Sequence, residues 1–117
     1  MLAIRIHEPG GPERLNVEEF PLPEPGPGQV RVRVAATGIN FAEVYQRQGL
    51  YPIPRPFTPG GEFAGSVDQL GSDVSGLKPG DRVATASGQG GYAQYALAAA
   101  QTYLESRASM GKVLLIP

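Results

Sequence analysis

The sequence predicts a small domain of the α+β class that is mainly β: a partly open barrel or a rolled sheet of short strands, with two or three short helices. About seven short segments have strand-like patterns, and turn-forming residues separate them every ~8 to 12 residues. The 117 residues include 16 glycines and 12 prolines, which favour tight connections over long helices. Residues 29–36 alternate apolar and polar side chains, as a half-buried strand does.

The predicted strands share apolar alternation or β-branched residues and are bounded by turn formers. They are residues 2–6, 15–20, 29–36, 63–70, 81–86, 92–97 and 112–116, of which 92–97 fits the start of a helix equally well. In the clearest of them, Val30, Val32 and Val34 face one side. Arg31 and Arg33 face the other side, which we expect to be solvated.

Two helices are predicted between and after these strands. From Phe41 the apolar residues recur at helical spacing, with Asn40 placed as the N-cap and Gly49 at the C′ position. Residues 98–108 are rich in alanine and predict a second helix. We expect the first helix, with its polar and aromatic start, to lie close to any functional site.

The connections carry their own signals. Segments 21–28 and 51–59 contain four prolines each, so the first should be an extended connection along the surface that cannot join a central ladder, and the second an irregular but stiff loop. Residues 78–81, Lys-Pro-Gly-Asp, suit a type II turn with proline at its second position and glycine at its third.

Composition excludes several classes of function. Ten basic and eleven acidic residues give a net charge of −1 without runs of either sign, so neither nucleic acid nor a membrane surface is an expected partner. No cysteine is present, which removes disulfides, thiolate nucleophiles and cysteine-ligated zinc. No apolar run approaches the ~20 residues that span a bilayer. We expect a cytoplasmic protein with a small-molecule or protein partner.

Three motifs carry a family resemblance. They are GGPERLNVEEFPLPEPGPGQVRVRVAATGIN, the pair GLYP and PGGEFAG, and KPGDRVA followed by GGYAQYA. In order and spacing they resemble the catalytic domain of the zinc-free quinone oxidoreductases, a branch of the medium-chain dehydrogenase/reductase superfamily. The resemblance implies a GroES-like fold, and in that family a hydride passes from NADPH to a quinone.

The resemblance also bears on domain organisation. The closing segment AAQTYLESRASMGKVLLIP resembles the C-terminus of the same family, in which a cofactor domain separates the two pieces. Here residues 96–100 run directly from one piece into the other, and a dinucleotide-binding domain needs two βαβαβ halves. We therefore expect one GroES-like domain over residues 1–117, with 1–97 and 98–117 rejoined after loss of the nucleotide-binding domain. Such a junction is typical of an engineered or ancestor-like module.

A competing interpretation comes from residues 88–93. Their sequence, GQGGYA, fits the G-x-G-x-x-A pattern of a dinucleotide-binding turn, and it follows a predicted strand. A helix and a parallel strand would have to follow it. The family resemblance instead implies a turn before a strand.

The resemblance implies a site at the start of the first helix. Residues matching Asn40, Tyr45 and Tyr51 would orient the quinone, and those matching Asn40, Glu43 and Tyr45 would contact NADPH. Aromatic rings can stack on a flat quinone, and hydride transfer needs orientation and dryness more than a strong acid. A structural alternative stays open for three of them: Asn40 caps the helix, Tyr45 packs beside Phe41, and Tyr51 braces the proline-rich loop.

No metal site is expected. Zinc-dependent relatives place a cysteine near position 40 and a histidine where this chain has Gly61, and a catalytic zinc needs three protein ligands. The only histidine, His7, is predicted to be a surface residue. Glu62 is predicted to hold backbone amides in its turn.

Two functions of different classes follow. The first is an isolated substrate domain of an NADPH-dependent quinone oxidoreductase, with little or no activity and no bound cofactor of its own. The second is a GroES-like structural module that self-associates through an exposed face. A fully competent reductase is the third alternative.

Overall fold

The computed structural model describes residues 1–100, which form six strands, one α-helix and one short 3-10 helix. The strands are β1 (Leu2–Arg5), β2 (Asn16–Glu19), β3 (Gln29–Thr37), β4 (Phe63–Leu70), β5 (Arg82–Thr85) and β6 (Tyr95–Ala99). The helix α1 spans Phe41–Gln48, and the 3-10 helix spans Pro12–Arg14. The prediction of a mainly β domain of the α+β class is confirmed.

The strands form two antiparallel sheets that together make an open roll. One sheet has four strands in the order β5-β4-β3-β6, and the other is the β1-β2 hairpin. The hairpin is tied to the segment before β6, because Ile4 donates its amide to the Tyr92 carbonyl at 2.8 Å and Gln94 donates to Leu2 at 3.1 Å. This seam brings the end of the glycine-rich segment 88–91 beside the first strand.

The core lies along one face of the four-stranded sheet. Its centre is β3, where Val30 and Val32 are 2% and 0% exposed. The other members of this cluster come from the neighbouring strands and loops: Phe63, Val67, Leu77, Val83, Ala96, Ala98 and Ala100. Burial of these side chains is the main source of stability for so small a domain.

The other face of β3 differs from the sequence-based expectation. The alternation predicts that Arg31 faces water, yet it is 8% exposed. Its Nε donates to the Asp68 carboxylate at 2.7 Å, its Nη2 to the Gln69 amide oxygen at 2.8 Å, and its Nη1 to the Pro23 carbonyl at 3.2 Å. The proline-rich segment therefore covers this part of the sheet, and only Arg33 matches the solvated prediction.

A close backbone approach fixes the pairing of β3 with β4. The register shifts between Val34 and Ala36, which pair with Gly65 and Ala64. A Cβ atom at Gly65 would overlap the carbonyl oxygen of Arg33 and lie 2.8 Å from its carbonyl carbon. Only glycine fits this point of the sheet.

Helix α1 has the predicted ends. Asn40 is its N-cap residue, in an extended conformation, and Gly49 ends it in the left-handed region at φ 85°. The predicted turn at 78–81 is also present, since Gly80 has φ 96° and the Asp81 amide donates to the Lys78 carbonyl at 3.1 Å.

Two sequence-based predictions near the end of the described chain need correction. The predicted helix 98–108 starts two residues too early, because Ala98 and Ala99 belong to β6, which pairs with β3, and Ala100 is the first helical residue. The G-x-G-x-x-A interpretation also fails, since residues 88–93 lead into this antiparallel strand and not into a helix and a parallel strand. The rest of that predicted helix beyond residue 100 and the predicted strand 112–116 lie outside the described residues.

Candidate functional site

The candidate site lies where three distant segments meet at the N-terminus of α1. The first segment carries Asn40 and Glu43, the second carries Glu62 just before β4, and the third carries Tyr92 just before β6. Hydrogen bonds join all three segments. The sequence predicts the first segment as a site but not its connection to Tyr92.

Asn40 is held by both its backbone and its side chain. Its amide N–H donates to Glu43 Oε1 at 3.0 Å, which is the carboxylate half of a capping box. Its side-chain Nδ2 donates to Glu62 Oε1 at 3.1 Å. Asn40 therefore caps the helix, as the structural alternative predicts, and its side chain remains exposed.

Glu43 lies inside the protein and not on an open face. It is 7% exposed, and its Oε1 accepts from the Asn40 amide and, at 3.2 Å, from the Tyr92 hydroxyl. Contact between Glu43 and a cofactor stays a prediction, and this placement favours a role in positioning the helix start. A buried carboxylate with two donors also resists rotation.

Tyr92 is the residue that sequence reasoning missed. Burial is the first cause that raises the pKa of its phenol, the negative charge of Glu43 and their hydrogen bond add to it, and the pKa reaches about 12. Gly60 makes room for this tyrosine, since a Cβ there would lie 2.7 Å from the ring of Tyr92. In the sequence, Tyr92 stands directly after the glycines of segment 88–91, within one of the motifs that carry the family resemblance. That position is the signal that could have pointed to it.

The aromatic residues form an open face beside this polar network. Tyr45 and Tyr51 are 39% and 48% exposed, with ring centroids 6.2 Å apart and planes nearly perpendicular. Tyr45 also stacks on Phe41 at 6.3 Å, so the packing alternative is present, but Phe41 is itself 75% exposed and the stack points outward. The structure thus brings Tyr45 and Tyr51 together, and it places Asn40 at the N-cap of the helix that carries Tyr45.

Two further predictions have clear outcomes. The Glu62 carboxylate contacts the side-chain amide of Asn40, which differs from its predicted role of holding backbone amides. Its backbone carbonyl does accept from the Gly38 amide at 2.8 Å. His7 is a surface residue as predicted, half exposed and 2.6 Å from the Glu18 carboxylate.

Metal-ligating groups and membrane spans can be assessed for residues 1–100. In that part of the chain no group of three or more acidic or histidine side chains lies close enough together to hold a metal ion. No helix in the same range is long and apolar enough to cross a membrane. Independence from zinc remains a prediction from Asn40 and Gly61.

The open roll with a capped helix beside it defines a small β domain of the GroES-like type. Residues 26–108 match the family model for the alcohol dehydrogenase GroES-like domain. The chain belongs to this family, and the fold implied by its sequence motifs is confirmed.

The relatives are quinone oxidoreductases. The human quinone oxidoreductase is 45% identical over 107 residues, which are 87% of this chain and 32% of the relative. The quinone oxidoreductase of Pseudomonas aeruginosa is 50% identical over 80 residues, 68% of this chain and 25% of the relative. The resemblance to the quinone oxidoreductase branch is confirmed, and the chain spans about a third or less of the length of these relatives.

A solved structure gives the same result in three dimensions. The Escherichia coli quinone oxidoreductase, complexed with NADPH, matches with a TM-score of 0.85 at 36% identity. The match covers 100% of this chain and 33% of the other.

Proposed function

We propose that this chain provides the quinone-binding side of an NADPH-dependent quinone oxidoreductase, with little or no activity by itself. The observation that carries the proposal is the half-exposed pair Tyr45 and Tyr51, next to a helix whose N-cap residue, Asn40, has its side chain fixed by Glu62. The relatives named above support the reaction class. Residues 1–117 are taken as one domain in this proposal.

The tyrosine pair suits a flat, weakly polar ring. Because the two rings are perpendicular, a quinone stacked on one of them meets the edge of the other. Within the described residues neither hydroxyl has a hydrogen-bond partner, so either can donate to a quinone oxygen. The pair thus offers both stacking and polar recognition of one substrate.

Asn40 suits the role of orienting a carbonyl or a carboxamide. One side-chain N–H of Asn40 donates a hydrogen bond to the Glu62 carboxylate, which fixes the amide group. The other N–H of this amide can then donate to a ligand. NADPH, when bound, supplies the hydride, and the residues of this chain orient the acceptor. Orientation of this kind accounts for a large part of catalysis in reactions that need no strong acid or base.

Binding of duroquinone, followed through the ring resonances of ¹³C-labelled tyrosine, tests the proposal. We expect saturable shifts at Tyr45 and Tyr51 and an affinity about three- to tenfold weaker in Tyr45→Leu or Tyr51→Leu, because each loses an aromatic contact. Tyr95→Leu is the matched control, since Tyr95 lies on β6 and not on or next to α1. Shifts that saturate only at Tyr95, or equal affinity in all variants, would contradict the proposal.

Titration of NADPH followed by its fluorescence separates the half-site from a complete enzyme. Asn40 and Tyr45 offer few contacts for so large a cofactor, so we expect no saturation below about 1 mM. Micromolar binding together with NADPH oxidation by duroquinone would support the competent reductase instead.

A second candidate function is self-association through the surface around α1. Three large apolar side chains are exposed there: Ile39 at 80%, Phe41 at 75% and Leu50 at 65%. Exposed apolar groups at this density favour contacts between proteins. If this function is correct, light scattering after size exclusion will detect dimers of the chain and monomers of Phe41→Asp; a monomeric chain at about 0.5 mM, where a contact with millimolar Kd already shows, would exclude it.

A further inference from the structure

A groove of about 310 Å³ is lined by residues from both sides of the seam that joins the β1-β2 hairpin to the segment before β6. Its walls come from β1, the start of β6, Phe20 and the loop at 56–58, and none of its lining residues belongs to the polar network or to the tyrosine pair described above. Its volume is near the lower end of the ~300 to 1,000 Å³ found for ligand pockets. A ligand of one or two rings would fill it.

Arg5 supplies the only side-chain cation among the described residues that line this groove. Its guanidinium carbon lies 3.9 Å from the centroid of the Phe20 ring, and its Nη1 donates to Thr58 Oγ1 at 3.2 Å. These two contacts hold the guanidinium plane against the aromatic wall. The remaining N–H groups of Arg5 make no hydrogen bond to the described residues and are not sealed inside the protein.

The charge of Arg5 has no counterpart in the described part of the chain. By contrast, Arg14 lies 2.9 Å from the Glu8 carboxylate, and Arg31 lies 2.7 Å from that of Asp68. No acidic side chain is among the described residues lining the groove, whose walls are largely apolar. A partly desolvated cation in such surroundings favours an anion that can share its hydrogen bonds.

We propose that this groove binds a small aromatic carboxylate. The carboxylate pairs with the free edge of Arg5, and the ring lies against the apolar wall that includes Phe57 and Leu97. The planar guanidinium matches a carboxylate in two parallel hydrogen bonds. The groove shares no residue with the tyrosine pair, so the proposal stands or falls separately from the proposed function.

Calorimetric titration of the full chain with 2-naphthoate tests the proposal, with uncharged 2-naphthamide as the matched ligand. We expect saturable 1:1 binding of the carboxylate, with a Kd of roughly 0.05 to 0.5 mM. The amide should bind about tenfold more weakly or not at all, because it lacks the charge-assisted pair. Binding of the carboxylate should also weaken as salt is added.

The matched variants are Arg5→Gln and Arg82→Gln, which change the net charge equally. Arg82 is exposed on β5 and does not line the groove. We expect Arg5→Gln to weaken binding of 2-naphthoate about tenfold or more and Arg82→Gln to leave it within about twofold. No saturable binding to the unaltered chain, equal binding of acid and amide, or equal loss in both variants would overturn the proposal. The comparison of the two ligands decides the matter even if Arg5→Gln fails to fold.

Discussion

Replacing Gly65 with alanine is expected to destabilise the sheet by about 3 kcal/mol or more, a large fraction of the stability of a domain of this size. A Cβ at this position would overlap the Arg33 carbonyl oxygen and lie 3.1 Å from the Ala35 amide nitrogen. Both atoms are backbone, so no side-chain rotation relieves the overlap. The strands β3 and β4 would have to separate where their register shifts.

Urea denaturation followed by circular dichroism measures this effect, and Gly61→Ala is its control. The nearest neighbours of a methyl group introduced at Gly61 would be the Ala86 and Gly88 carbonyl oxygens at 3.7 Å, an ordinary contact distance. Gly61→Ala should therefore change the free energy of unfolding by less than about 1 kcal/mol. Similar stability of the two variants would mean that the close approach at Gly65 is not a constraint on the fold.

The second large effect is expected from Tyr92→Phe. This change removes one of two donors from the buried Glu43 carboxylate, which should lower the free energy of unfolding by about 1 to 3 kcal/mol near pH 7. Tyr95→Phe is the matched control, because the Tyr95 hydroxyl makes no hydrogen bond to residues 1–100. Thermal or urea unfolding of both variants gives the comparison.

The pH dependence of the Tyr92 variant provides a second measurement. In the folded protein the pKa of Tyr92 is raised from 10.0 to about 12, so the native state holds the phenolic proton more tightly than the unfolded chain. This stabilisation is complete below about pH 10 and is lost as the pH rises towards 12. The free energy of unfolding should thus fall over this interval in the parent chain and less steeply in Tyr92→Phe. Parallel curves would contradict a raised pKa of Tyr92 in the folded protein.

The local features of the fold could be predicted from the sequence. The strand-like patterns of residues 29–36 and 63–70 predicted β3 and β4. Asn40 as the N-cap and Gly49 after the last turn predicted the two ends of α1. These features depend on residues that are neighbours on one element, and periodicity reports such neighbours directly. The same reasoning found the segment that carries most of the candidate site.

The contacts that sequence reasoning missed join residues far apart in the chain. Arg31 is buried because Asp68, 37 positions away, and the proline-rich segment close over it. Tyr92 reaches Glu43 across 49 positions, and Arg5 reaches Thr58 across 53. Local periodicity does not predict such long-range contacts, since they depend on how the sheets pack together. The start predicted at residue 98 from alanine content is two residues too early for a related reason, because pairing of Ala98 and Ala99 with β3 outweighs their intrinsic helix propensity.

The Glu62 carboxylate near the start of α1 also determines which capping residue fits at position 40. Asparagine and aspartate cap helices about equally well, so the capping position alone does not distinguish them. Here, however, the side chain of residue 40 meets the Glu62 carboxylate at 3.1 Å. An aspartate would set two negative charges against each other at that distance, whereas the amide of Asn40 donates a hydrogen bond to the glutamate. The identity of the capping residue is thus decided by a glutamate that lies 22 positions further along the chain.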